Sequence, residues 1–200
     1  MNLQQWSLDM ATKLTDYIKV YDGAVPRDKC TKIMRAFDKD FEHQEYIDQE
    51  KRPSFTQLNV TQRYRDKDTD WDPIQFELQQ VFVDYASLYI QQLGVAVDFP
   101  DKYAFEEYRI KKYNANIDEF KDHVDVGDYN SARRFLVMFL YLNDVPQNGG
   151  GTTDFPRLDL QVRPVAGRML IFPPTWQYRH AGRPILSGSK YILGTYLHYL

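Results

Sequence analysis

The chain has 200 residues, 43% of them hydrophobic, with 28 Asp and Glu against 25 Lys and Arg for a net charge of −3, a balance that suits a globular protein with one domain over 1–200. No apolar run approaches the roughly 18 residues of a membrane span, and the opening "MNLQQWSLDM" lacks the basic and apolar segments of a secretory signal, so a cytoplasmic protein that does not enter membranes is expected. The single cysteine, Cys30, excludes an internal disulfide and any multi-cysteine zinc site.

Charge is unevenly spread. Residues 130–200 carry eight Lys and Arg against three Asp, a net of +5, which leaves −8 on the first 129 residues. The C-terminal third can therefore receive a small anion, but the balance is too weak for extended duplex nucleic acid, and a nucleic-acid partner is not expected. The 15 Tyr and 12 Phe, against 10 Gly, favour half-buried pleated surfaces and lean the reading towards sheet.

In chain order, "YIKVY" (17–21) alternates as a strand. Pro26 then stands where a first helical turn begins, and Cys30, Ile33, Met34, Phe37 and Phe41 fall at helical spacing, with Cys30 as a buried helix residue. Residues 43–72 are polar and charged, broken by "FTQLNV" (55–60) as a strand, and read as a long excursion. A second helix opens at Asp72-Pro73 as cap and first turn. It carries Ile74, Leu78, Val81, Phe82, Tyr85, Leu88, Tyr89 and Leu93 on one face and ends at Gly94.

From about 103 the pattern changes to short apolar runs between turn residues. Strands are predicted near 104–113, 134–142, 158–164, 168–172, 177–181 and 191–199, with turns at Asn148-Gly149-Gly150-Gly151, Gly167, Pro173-Pro174 and Ser187-Gly188. Such a series without intervening helices predicts a mainly β chain with N-terminal helices, its sheets forming an antiparallel barrel or jelly-roll double sheet over 103–200. The region 1–100 supplies supporting helices and strands that cover one face.

His123 and Asp125, in "FKDHVDVGD", stand two apart, and in extended chain such side chains point to the same side and can reach one ion. The pair alone is not specific and needs a third ligand, from His43, His180 or His198. His43 lies in the charged excursion and His198 close to the C-terminus, whereas His180 lies inside the sheet region beside a Gly turn and is the best candidate. Two imidazoles and a carboxylate on one face of an octahedron form the facial triad of non-haem Fe(II) oxygenases; the same donors also suit a zinc hydrolase.

The segments "KYNANIDEFKDHVD", "RRFLVMFLYLNDVPQNGGGTTDFP", "VRPVAGRMLIFPP" and "RHAGRPILSGSKYILGTYL" resemble the successive motifs of the prolyl 4-hydroxylase-like family of Fe(II)/2-oxoglutarate oxygenases, over roughly 104–198. The resemblance implies a double-stranded β-helix with iron held by His123, Asp125 and His180, the catalytic residues. It further implies that Lys190, ten residues after His180, pairs with the distal carboxylate of 2-oxoglutarate, that Tyr141 donates to the same carboxylate, and that Tyr113 lines the cosubstrate pocket. Gly149-Gly150-Gly151-Thr152 through Phe155-Pro156 resembles the family's "GG-x-T-x-F-P" turn, and Arg134 a substrate-side arginine, with a structural salt bridge as the alternative. Two departures bear on the substrate entrance: Phe120 where relatives often have tyrosine, and "NANID" in place of a glycine-containing turn.

The implied activity is an Fe(II)-, 2-oxoglutarate- and O₂-dependent dioxygenase, with ascorbate as an accessory reductant, that hydroxylates an unactivated C–H bond. The expected partner is a peptide or protein substrate containing proline; the alternatives are another amino acid or small-molecule substrate, or a non-catalytic jelly-roll binding module. Helix one and 43–66 are expected to fold over the entrance as a lid. A dianion with a far carboxylate requires a cation and a hydroxyl donor, which Lys190 and Tyr141 supply on this reading.

Overall fold

The architecture is set by strands whose two faces are both apolar. The computed structural model describes residues 13–49 and 53–200; "MNLQQWSLDM" lies outside them. In order, the elements are β1 (Lys19–Tyr21), α1 (Arg27–Lys39), β2 (Glu45–Asp48), β3 (Ser54–Asn59), α2 (Val60–Arg65), α3 (Asp72–Leu93), β4 (Tyr103–Phe105), β5 (Arg109–Asn114), β6 (Phe120–His123), β7 (Arg134–Tyr141), β8 (Thr153–Phe155), β9 (Leu160–Val162), β10 (Met169–Phe172), β11 (His180–Gly182) and β12 (Ser189–Tyr199).

Among the described residues the strands form two antiparallel sheets. The larger runs β1-β10-β7-β12-β5-β3-β2, with β4 also paired to β12; the smaller runs β6-β11-β8-β9. Along β7, Leu136, Met138 and Leu140 bury against one cluster, and Val137 and Tyr141 against the other. β10 divides in the same way, Met169 and Ile171 against Leu170 and Phe172. A sheet covered on both faces reads as continuous apolar runs, which is why "RFLVMFLYL" shows no polar alternation.

One cluster joins the large sheet to Cys30, Ile33 and Phe37 of α1 and to Ile74, Leu78, Phe82, Ala86 and Tyr89 of α3. The other lies between the two sheets around Tyr113, Tyr141, Phe155, Phe172 and Ile192. The Tyr191 hydroxyl ties β12 to α1 by donating to Asp38 at 2.9 Å. The Cys30 thiol is fully buried, and burial pushes it up to about 11. Among the described residues no helix is long and apolar enough to cross a membrane.

Several expectations change. Phe41 follows the end of α1 in a 3-10 turn and is 71% exposed, so it is not part of the helix's buried face. Asp72 is the first helical residue of α3, after Trp71 as cap, and Gly94 ends the helix in the left-handed region at φ 66°. The strand read over 104–113 is broken into β4 and β5, and 177–181 is a 3-10 turn followed by β11. The described residues of 43–66 are not a free excursion: β3 pairs with β5 from Thr56↔Lys112 to Asn59↔Arg109, and β2 with β3. That hairpin extends the large sheet, with Phe55 beside Tyr113 and Phe120, whereas α1 packs on the sheet's other face and does not cover the entrance.

Candidate active site

His123 and His180 face each other because β6 and β11 pair in the register His180↔His123, with an irregularity just after His180. Asp125 follows β6. Its backbone N–H donates to the Pro174 carbonyl at 3.2 Å and its carbonyl accepts from the Arg134 guanidinium at 3.2 Å, so both ends of its peptide are fixed. One ligand atom from each of the three residues lies within 4.8 Å of the others.

The hydrogen bonds around the triad define its protonation. Nδ1 of His123 lies 2.7 Å from the Lys121 carbonyl and Nδ1 of His180 lies 3.1 Å from the Tyr178 carbonyl. A carbonyl can only accept, so each Nδ1 carries the proton and each Nε2 presents a lone pair. Those two nitrogens sit 3.6 and 3.5 Å from the Asp125 carboxylate. Burial pushes His180 down to about 4, which keeps it neutral. Burial alone would raise Asp125; the Tyr196 hydroxyl, donating to Oδ1 at 2.9 Å, works against it and favours the ionised carboxylate. Asp125 Oδ2 is buried with no hydrogen-bond donor among the described residues. Two lone pairs and an unsatisfied carboxylate oxygen converging on one point are mutually repulsive until a cation sits between them, and the donor set fits Fe(II).

The same pocket is lined on the large-sheet side by Tyr113, Lys190, Ile192 and Tyr196, and across from them by Phe120, Thr153 and Gly182. Lys190 is completely buried. Its ammonium donates to the Gly151 carbonyl at 2.8 Å and lies 4.9 Å above the Tyr113 ring, with no carboxylate of the described residues in contact. Burial pushes it down to about 7. Gly151 presents that carbonyl at φ 72° after Gly150 at φ 70°; a Cβ on Gly150 would lie 2.3 Å from the Pro184 carbonyl oxygen, so this turn requires glycine.

The predicted residues are not all brought together. Tyr113 lines the pocket. Tyr141 is fully buried behind it and donates to Thr153 Oγ1 at 2.7 Å, so Thr153, which the sequence reading passed over, presents the hydroxyl. Arg134 is not at the pocket wall: its guanidinium makes two 2.8 Å bonds to Glu106 and lies 4.0 Å over the Tyr196 ring, which favours the structural alternative. The "NANID" turn puts Asn116 at φ 61°, the conformation a glycine would otherwise supply. Tyr196 and Lys111 were missed, yet counting by two along β12 from Lys190 and along β5 from Tyr113 reaches both.

The family model of the 2OG-Fe(II) oxygenase superfamily matches residues 108–198. A search of curated protein sequences finds no match. Among solved structures, the chain is similar to a prolyl hydroxylase from Trichoplax adhaerens in complex with a hypoxia inducible factor peptide fragment, at a TM-score of 0.74 and 12% identity over 96% of this chain and 88% of that one. It is also similar to a Pseudomonas putida prolyl-4-hydroxylase, at 0.66 and 19% over 92% and 93%. A viral collagen prolyl hydroxylase from Paramecium Bursaria Chlorella virus-1, in its 2OG complex, matches at 0.62 and 22% over 92% and 96%.

Residues 108–198, which contain the whole triad and Lys190, thus belong to the 2OG-Fe(II) oxygenase superfamily, and the chain is a 2-oxoglutarate-dependent dioxygenase that uses Fe(II), 2-oxoglutarate and O₂. Its fold is of the prolyl 4-hydroxylase kind.

Proposed function

We propose that this dioxygenase hydroxylates an unactivated C–H bond of a prolyl residue in a peptide or protein. The observation that carries the reading is a His-Asp-His cluster and a buried, carboxylate-free lysine lining one pocket, in a fold like those of three prolyl hydroxylases, one bound to a peptide. We read the two opposed sheets as the double-stranded β-helix of such enzymes, and 1–200 as one domain whose N-terminal helices back the catalytic sheets.

In this reading His123, Asp125 and His180 hold Fe(II), and Lys190 neutralises the far carboxylate of 2-oxoglutarate, with Thr153 offering a hydroxyl and Tyr113 an apolar wall. Bound there, iron and 2-oxoglutarate supply the oxidising power for C–H hydroxylation by O₂, with succinate and CO₂ as products. The protein's own part is positional. The Nδ1 bonds fix both imidazoles, and Tyr196 and Arg134 fix the Asp125 side chain and backbone. Tyr141 acts from behind by orienting Thr153. The test is O₂- and Fe(II)-dependent succinate formation stimulated by proline-containing peptides, with one oxygen added to the peptide by mass. Stimulation only by peptides without proline would reject the substrate and leave the chemistry.

A further inference from the structure

Lys111 has no place in the reading above. It follows the inward face of β5 two residues before Tyr113, so its Cα lies about 7 Å further along the wall than that of the tyrosine. β5 and β12 pair Tyr113 with Lys190 and Lys111 with Ile192, which puts the two lysines at successive levels of one pocket. The Lys111 ammonium lies 4.7 Å from the centre of the Phe55 ring and 5.7 Å from that of Phe120, which itself covers His123. Among the described residues it makes no ion pair, whereas its neighbours Arg109 and Lys112 are paired with Glu107 and Asp38.

A lysine directed at aromatic faces inside a pocket retains an unmet demand for an anion, because two rings replace only part of its hydration. Burial pushes it down to about 8, with the Asp125 charge acting the other way. The charges of the pocket state the same demand. Asp125 is negative, Lys190 and Lys111 are positive, the imidazoles are neutral, Glu107 is paired with Arg109, and Asp154 with Arg183. A divalent ion and the 2-oxoglutarate dianion cancel, which leaves the loaded pocket with a single uncompensated positive charge beside the metal ligands.

We propose that Lys111 binds a carboxylate of the substrate, so that the molecule hydroxylated presents an anionic group next to the C–H bond attacked. The proposal rests on the oxygenase reading of the pocket and narrows its substrate. The carboxylate belongs either to the reacting amino acid itself or to an acidic residue beside it.

The experiment titrates the Zn(II)- and 2-oxoglutarate-loaded protein calorimetrically with matched probes: N-acetylproline against its amide, the same pairs built on other amino acids, and N-acetyl-Pro-Asp-amide against N-acetyl-Pro-Asn-amide. Carboxylate probes should bind at least tenfold more tightly than their neutral partners. Lys111→Gln should erase that difference without changing the affinity for 2-oxoglutarate, and Lys111→Arg should keep most of it. A preference in the N-acetylproline pair assigns the α-carboxylate, and one in the Asp/Asn pair an acidic neighbour. A preference confined to amino acids other than proline upholds the role of Lys111 and rejects the prolyl substrate. Equal binding within every pair, no binding by any probe, or a loss of 2-oxoglutarate affinity in Lys111→Gln would overturn the proposal.

Discussion

The Phe120 ring lies flat on the His123 imidazole, with centroids 3.6 Å apart and planes 6° from parallel. The stack holds the ring plane of the less buried of the two histidines, as its Nδ1 bond holds the rotation. Aromatic stacking of this kind contributes about 0.5–1.5 kcal/mol beyond area burial. Phe120→Ala should therefore weaken divalent metal binding by up to about tenfold, and Phe120→Tyr should retain it. Metal titration of the two variants checks this.

Asp125→Asn separates metal affinity from fold stability. The substitution keeps the shape and the contact with Tyr196 but removes a buried charge whose Oδ2 has no donor. The metal-free variant should melt no lower than wild type, while the metal-dependent rise in Tm should vanish with turnover. A variant that still gains Tm with Fe(II), Mn(II) or Zn(II) would show that Asp125 is not a ligand.

Lys190 gives a pH signature. Its folded value of about 7 lies below the roughly 10.4 of a free lysine, so between those values the unfolded chain binds more protons and stability rises with pH. The destabilisation from burying the ammonium is complete below pH 7 and fades as pH approaches the free-lysine value. Lys190→Met should thus be more stable than wild type in the metal- and cosubstrate-free state, with the largest margin below pH 7. In the proposed role of Lys190, binding of 2-oxoglutarate runs oppositely, since pairing with its far carboxylate needs the charged form. Its affinity should fall by up to about tenfold per pH unit above 7 in wild type, and Lys190→Arg should be weaker but flat with pH.

Tyr141 and Thr153 can be told apart by cosubstrate titration. Tyr141→Phe removes a donor behind the pocket wall, costing about 1 kcal/mol of stability and raising the 2-oxoglutarate requirement only a few-fold. Thr153→Val removes the hydroxyl at the wall and should raise it more. The reverse order would mean that Tyr141 reaches the cosubstrate directly.

What could be read from residues alone followed from how local the signals are. The α1 and α3 stripes survive because one face of each helix meets the sheet along its length, and His123, Asp125, His180 and Lys190 carried motif spacing that the pocket reproduces. The β2-β3 hairpin was hidden because β2 is an edge strand with exposed polar side chains, and its pairing depends on β5, some 50 residues later. β6 and β8 are too short to show alternation, and β8 lies within what reads as a glycine turn. Tyr141 could not be placed because an inward strand position is the same on paper whether the side chain reaches the pocket or stops at a threonine behind it.

The two histidines belong to the small sheet, whereas Lys190 and the hydroxyl that holds Asp125 belong to the large one. No covalent link within the site spans that gap, so without metal the layers are held together there by side-chain packing and by the hydrogen bonds of Tyr196 and Arg134 to Asp125 and of Tyr141 to Thr153. In the proposed arrangement a metal with its dianion would be gripped from both sides and act as a removable rivet. The amides of β6 and β11 should accordingly exchange with solvent more slowly once both are bound, and the metal alone, attached to one layer, should slow them less.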